Sequence, residues 1–117
     1  MMKRNAQQLS DLINKKPSVY SATFIFRIKN YDSEFEHLNS IIDEVAHSNP
    51  GFLGKESWSK EEENKRSVVY YWDSLESLKK FSTHPDHQKA KQNYKKWYSG
   101  YEVIVSEVLK LKTDNGL

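Results

Sequence analysis

The stretch from Tyr70 to Tyr101, YYWDSLESLKKFSTHPDHQKAKQNYKKWYSGY, constrains the fold more than any other part of the chain. An apolar strand end, SVVYYW, runs almost directly into a helix bearing Leu75, Leu78 and Phe81, with Asp73 and Glu76 in capping-box spacing at its start. So short a connection obliges the helix to pack on the sheet that its own strand belongs to. His84 and Pro85 break that helix, and Pro85 suits the first turn of a second one, where its missing N–H is not needed. The second helix is expected to run to Gly100. His87, Ala90, Tyr94 and Trp97 recur along it at near-helical spacing and should share one face. A His on an aromatic helix face beneath a strand fits two arrangements: the wall of a small-molecule pocket, or a packed core containing one satisfied imidazole.

The remaining segments surround this unit with a sheet. In VYSATFIFRIK, residues 19–29, Ala22, Phe24, Phe26 and Ile28 alternate against Ser21, Thr23, Ile25 and Arg27, the period of a strand. Ser33 and Glu36 then form a capping box for a helix whose apolar stripe is Phe35, Leu38, Ile41, Ile42 and Val45, ending near Asn49, Pro50 and Gly51. Residues 52–60 and 66–72 read as a hairpin joined by EEENK. Tyr101 to Lys112 alternates as a long closing strand. Residues 1–18 form an arm with Leu9, Leu12 and Ile13 on one helical face, expected to pack on the body or on a neighbouring subunit, and the tail 113–117 is expected to be frayed. The body is therefore residues 19–112, in the order strand, helix, strand, strand, helix pair, strand. That is an α+β split βαβ plan, an antiparallel sheet with its helices on one face. Strands one and four carry apolar residues on both sides, so the second face needs cover as well, and pairing of two sheets in a homodimer supplies it most simply.

Composition narrows the function classes. With 117 residues the chain forms one domain; 37% of its residues are apolar, but 13% are aromatic, so bulky side chains supply much of the core. A net charge of +2, from 18 basic against 16 acidic residues, is too small and too interleaved for a nucleic-acid partner. The densest basic run, Lys89, Lys91, Lys95 and Lys96, reads as a solvated helix face, with an anionic substrate as the other possibility. The absence of cysteine excludes disulfides, thiolate nucleophiles and Cys-ligated metals, and fits a reducing cytoplasm. No segment is apolar over the length of a signal peptide or a bilayer crossing, so a soluble cytoplasmic protein with no membrane partner is expected.

YYWDSLESLKKFSTHPDHQKAKQ followed by KKWYSGYEVIVSEV resembles the antibiotic biosynthesis monooxygenase (ABM) family: a strand ending in Trp72, a short helix, His87 before Ala90, then Trp97, Tyr98 and Tyr101 leading into the last strand. The resemblance spans residues 19–112. It implies a ferredoxin-like domain forming a homodimeric α/β barrel, with a pocket between sheet and helices in each subunit. Some members oxidise aromatic substrates with O₂ and no metal, flavin or haem cofactor; others degrade haem; others have no known reaction. The haem-degrading pattern uses an Asn on the first strand, a Trp on the helix after the third strand and a His on the next helix. Here the first strand lacks Asn, Phe81 stands where the Trp would be, and His87 falls about one turn early, with Lys91 near the ligand position.

The candidate site follows. His87 is the candidate catalytic base, because imidazole titrates near working pH and a deprotonated phenol reacts with O₂; its alternative is a structural His that bonds a backbone carbonyl or caps the helix region. Trp72, Tyr94, Trp97, Tyr98 and Phe24 are candidates to hold a flat substrate ring, with a packed core as the alternative. Tyr70, Tyr71 and Trp58 fall between sheet core and dimer interface. His84, His87 and Asp86 do not complete a metal-ligand set, so no metal is expected. The leading function is a cofactor-independent monooxygenase acting on a small aromatic or quinone-like molecule. A non-catalytic dimer that binds a small molecule or serves as an interaction module is the alternative, and haem degradation comes third.

Overall fold

A computed structural model describes the backbone of residues 6–114 and 116, with side chains from Ser10 onward. The elements are α1 (Ala6–Lys15), β1 (Tyr20–Ile28), α2 (Ser33–Ser48), β2 (Phe52–Lys60), β3 (Lys65–Trp72), α3 (Leu75–Ser82), α4 (Pro85–Gln92) and β4 (Tyr98–Glu107). The strands form one antiparallel sheet in the order β2-β3-β1-β4. This is the α+β ferredoxin-like split βαβ arrangement. The β2–β3 hairpin closes through a 3-10 turn over Glu61–Glu63 and Asn64, whose φ of 50° lies in the left-handed region that Asn tolerates.

The register decides what each face carries. Ala22 lies opposite Tyr70 and Val105, Phe24 opposite Val68 and Val103, and Phe26 opposite Arg66 and Tyr101. Directly opposed residues share a face, so all of these point toward α2, α3 and α4. The core on that side is built from Ala46, Trp72, Leu78 and Phe81, with a neighbouring cluster of Phe35, Leu38 and Trp97. On the other face Ile13 of α1 packs with Val19 and Leu53, joined by Tyr71, Val108 and Leu111. Ser10 and Asn14 both donate to the Leu111 carbonyl, at 3.2 and 3.3 Å, tying α1 to the segment after β4. Trp58 and Ile104 stay exposed beyond this cover. The side chain of Leu9 lies outside the described residues, as do Asn115 and Leu117 of the tail expected to fray.

Four local expectations are corrected. The side-chain cap of α2 is Asp32, accepting the Phe35 N–H at 2.8 Å, and that of α3 is Ser74, accepting the Ser77 N–H at 3.1 Å. Each is one residue from the expected capping-box position, because neighbouring residues of equal capping ability are separated only by the backbone entry angle. The helix starting at Pro85 ends at Gln92, not at Gly100. A 3-10 turn, Tyr94–Lys96, follows, and Trp97 is captured when its carbonyl accepts the N–H groups of Lys29 (2.7 Å) and Asn30 (3.2 Å). Pairing of Tyr98 with Ile28 and of Gly100 with Arg27 then draws the chain into β4, a long-range gain that outweighs local helical preference. The closing strand stops at Glu107, because its pairing partner β1 begins at Tyr20, opposite Glu107.

Candidate functional site

Between the helix-side face of the sheet and α2, α3 and α4 lies a cleft of about 1260 Å³. Its floor is Ala22, Phe24, Val68, Tyr70, Val103 and Val105; Phe81, His87, Ala90 and Tyr94 form the roof, and Tyr31, Phe35 and Tyr98 close one end. The floor follows from period-two alternation along the strands. The roof follows from the His84–Pro85 break, which separates α4 from α3 and lets α4 pack beside α2, with Ala90 against Phe35 and Leu38.

His84 caps α4, its Nδ1 accepting the Asp86 N–H at 3.2 Å. One turn on, His87 meets the Phe81 ring edge-on with centroids 4.7 Å apart, and its Nδ1 lies 3.3 Å from the Phe81 carbonyl oxygen. A carbonyl can only accept, so Nδ1 carries the proton and Nε2 keeps its lone pair. Burial, and then the positive charge of Lys91, push the His87 pKa down to about 4 against the opposing effect of the Phe81 bond. The imidazole is uncharged at neutral pH: a ready hydrogen-bond acceptor and a weak base.

Tyrosines supply the other polar groups. Tyr70 lies 5.3 Å from Phe81 between ring centroids, and burial together with the Asp43 carboxylate raises its pKa well above the usual phenol value. Tyr98, 4.7 Å from Phe26 and 5.5 Å from Phe24, is raised mainly by burial, with Tyr31 and Tyr70 contributing. Both stay protonated across the physiological range, so each hydroxyl keeps a proton that it can donate. Lys55 lies 5.7 Å from the Tyr70 ring centroid and pairs with Asp43 at 3.0 Å. Arg66 lies 5.7 Å from the centroid of Tyr31.

Of the residues singled out in the sequence, Phe24, His87, Tyr94 and Tyr98 meet at the cleft, and the two tryptophans do not. Trp72 is 0% exposed, wedged against Phe52 and Phe81 at 5.3 and 5.0 Å between ring centroids. As the last residue of β3 it sits where α2 and α3 both close on the sheet, so its bulk fills the core; its Nε1 has no hydrogen-bond partner among the described residues. Trp97 is 1% exposed and donates from Nε1 to Asp32 Oδ1 at 3.1 Å, pinning the start of β4 to α2. Of the undecided residues, Tyr70 belongs to the cleft, Tyr71 joins the outer cluster and Trp58, whose strand position puts its side chain on the outer face, is exposed. Arg66, Lys55 and Tyr31 were not anticipated. The signal was available for Arg66: in RSVVYYW it shares the face of Val68, Tyr70 and Trp72 by simple alternation. Phe81 and Lys91 both border the cleft, and among the described residues no cluster of His, Asp or Glu is arranged to hold a metal. No helix among the described residues is long and apolar enough to cross a membrane.

Comparison with known proteins places these features in a family context. Residues 20–106 match the monooxygenase af470-like family. The uncharacterized protein YqjZ of Bacillus subtilis (strain 168) is 30% identical over 103 residues, which covers 86% of this chain and 90% of YqjZ. Among solved structures, a variant of SnoaB, a cofactor-independent oxygenase from Streptomyces nogalater, is similar with a TM-score of 0.66 at 11% identity, over 80% of this chain and 95% of its own. A Chloroflexus aurantiacus J-10-fl protein named as a candidate antibiotic biosynthesis monooxygenase has a TM-score of 0.55 at 22% identity, over 82% of this chain and 96% of its own. At these identities the two structures establish a shared fold.

Proposed function

The chain belongs to the monooxygenase af470-like family, an ABM-like family, and on that premise we propose that it is a cofactor-independent monooxygenase acting on a small aromatic or quinone-like molecule bound beneath α4. The observation that carries the proposal is the neutral His87 imidazole, its Nε2 lone pair free, on the wall of an aromatic cleft that also holds the protonated phenols of Tyr70 and Tyr98. Phe24, Tyr94 and Tyr98 hold the ring. Nε2 accepts the substrate hydroxyl, and Tyr70 and Tyr98 donate to oxygen atoms on which negative charge grows.

The low basicity of His87 sets a condition on the substrate. An ordinary phenol, with a pKa near 10, is too weak an acid for an imidazole at about 4 to deprotonate fully. The hydroxyl must therefore be acidified by a conjugated carbonyl, as in hydroxyquinones and their keto tautomers, and the nearby Lys91 ammonium stabilises the resulting anion. Such an anion reduces O₂ from its own ring. Conversion of a ring CH₂ to a ring carbonyl by O₂, with water as the second product, balances with no outside reductant. Turnover under isotopically labelled O₂ tests this: one labelled oxygen atom in the product supports the proposal, and label from solvent water alone overturns it.

The active unit is proposed to be residues 19–112 in a homodimer, because Ile104 and Trp58 are 45% and 57% exposed on the outer face beyond the reach of α1. Of the arm expected over residues 1–18, α1 (Ala6–Lys15) then lies along that face, and residues 1–5 lie outside the described residues. A cytoplasmic setting belongs to the same proposal, since a chain with no cysteine needs no oxidising compartment to fold.

A further inference from the structure

The floor of the cleft is divided along the sheet. On β1 and β4 it is apolar, with Phe24, Val103 and Val105; toward the outer ends of β2 and β3 it is polar, with Ser57, Ser59 and Arg66. Cations dominate the lining. Among the described residues Glu102 is the only carboxylate bordering the cleft, and its pairing with Ile25 assigns its side chain to the opposite face. Lys55 is neutralised by Asp43 at 3.0 Å, and Lys91 donates to the Ser82 carbonyl at 3.0 Å. Lys79 of α3 and, at the rim, Arg66 are in no ion pair among the described residues, and of the two Arg66 is the one with a planar donor fork. Its guanidinium rests beside the ring of Tyr31, so its planar donor fork is held without a counter-ion. That geometry suits a carboxylate, which accepts two parallel N–H bonds from one guanidinium.

We infer that the cleft takes an elongated aromatic monocarboxylate, its ring system over Phe24 and Val103 and its carboxylate forked onto Arg66. The inference rests on the proposed oxidation of an aromatic substrate and adds the anionic anchor. Length follows from the sheet. Arg66 and Tyr70 lie on one strand with Cα atoms roughly 13 Å apart at the usual rise per residue. His87 enters the cleft beside Phe81, which abuts Tyr70. A ligand that touches both Arg66 and His87 is therefore longer than a single benzene ring, and its reacting end is the end remote from the carboxylate.

Isothermal titration of the full chain with biphenyl-4-carboxylate and its neutral isostere biphenyl-4-carboxamide tests the anchor. The carboxylate should bind about tenfold tighter, a difference of about 1.4 kcal/mol. Arg66→Gln should bring the carboxylate down to the affinity of the amide, and Arg66→Lys should keep part of the preference because a point charge remains without the fork. Equal affinity for the two compounds in the unmodified chain, or equal weakening of both by Arg66→Gln, overturns the anchor while leaving the aromatic reading in place. Binding of neither compound overturns the aromatic reading together with the anchor.

Discussion

Removing the Asp32 carboxylate should destabilise the protein by about 2 kcal/mol. One oxygen, Oδ1, does two jobs: it accepts the Phe35 N–H at 2.8 Å as the cap of α2, and the Trp97 Nε1–H at 3.1 Å. Loss of an N-cap acceptor destabilises by about 1 kcal/mol. A buried donor left unpaired adds about 1 kcal/mol, the low end of the usual range, because Asp32 is itself exposed and water can approach from its side. The effects fall on one joint between α2 and β4, which also seats Tyr98, the residue after Trp97. Asp32→Ala should therefore lower the urea midpoint at unchanged m-value and lower Tm by about 8 °C. Asp32→Asn keeps an oxygen in the same place and should lose well under half as much. An Asp32→Ala variant within about 0.5 kcal/mol of the parent, or an Asn variant as damaged as the Ala variant, would refute the shared-acceptor account.

Further predictions concern titration and assembly. Because His87 titrates at about 4 when folded and near 6.5 when free, the unfolded chain binds more protons between those values. Its contribution to stability is complete above about pH 6.5 and is lost as pH falls toward 4, by on the order of 3 kcal/mol. His87→Gln should flatten that slope, and urea melts at about pH 7 and pH 4.5 measure it; an unchanged slope would contradict the burial of a neutral imidazole. Burial raises Tyr70 and Tyr98, and pushes Tyr71, beside Glu56, up to about 12. The folded chain should thus keep these three of its seven tyrosines protonated at about pH 11, and stability should fall as pH climbs past about 10. Ultraviolet difference titration checks this, and a single transition of all seven near 10 would contradict it. Light scattering should give twice the 13.8 kDa of one chain, and Ile104→Lys with Trp58→Lys should return the mass to 13.8 kDa without loss of secondary structure; a monomeric parent would contradict the outer-face interface.

The elements were legible in the sequence where burial is periodic. Alternation in SATFIFRI assigns β1 and its two faces, SVVYYW reads as a strand with the faces of Tyr70 and Tyr71 left open, and the stripe Phe35, Leu38, Ile42 and Val45 assigns α2. What local pattern could not give was any decision made by distant pairing. Whether Trp97 continues a helix or enters the sheet depends on Lys29 and Asn30, which lie far away in the chain. The same limit governs the site. Phe24 reaches the cleft from β1 and His87 from α4, whereas Tyr94 and Tyr98, expected on one continuous helix, reach it from a 3-10 turn and from β4; Trp72 and Trp97 look like pocket walls until two helices are seen to close over one and an Asp32 acceptor to claim the other. Arg66 is easily passed over because an Arg beside a charged turn has the sequence appearance of a solvated residue; alternation gives its face, and the register adds that this face meets the cleft at Ser59 and Phe26.

Oxygen uptake tests the central claim most directly. The parent protein and His87→Ala are compared in an oxygen electrode with a panel of phenols, hydroquinones and hydroxyquinones, with circular dichroism verifying that the variant is folded. The account predicts steady O₂ consumption with a carbonyl-conjugated phenol, reduced on the order of 100-fold by His87→Ala, the usual contribution of a proton acceptor aligned with its substrate. Uptake equal in the two proteins would remove His87 from the reaction, and no uptake with any compound would contradict the oxygenase assignment itself.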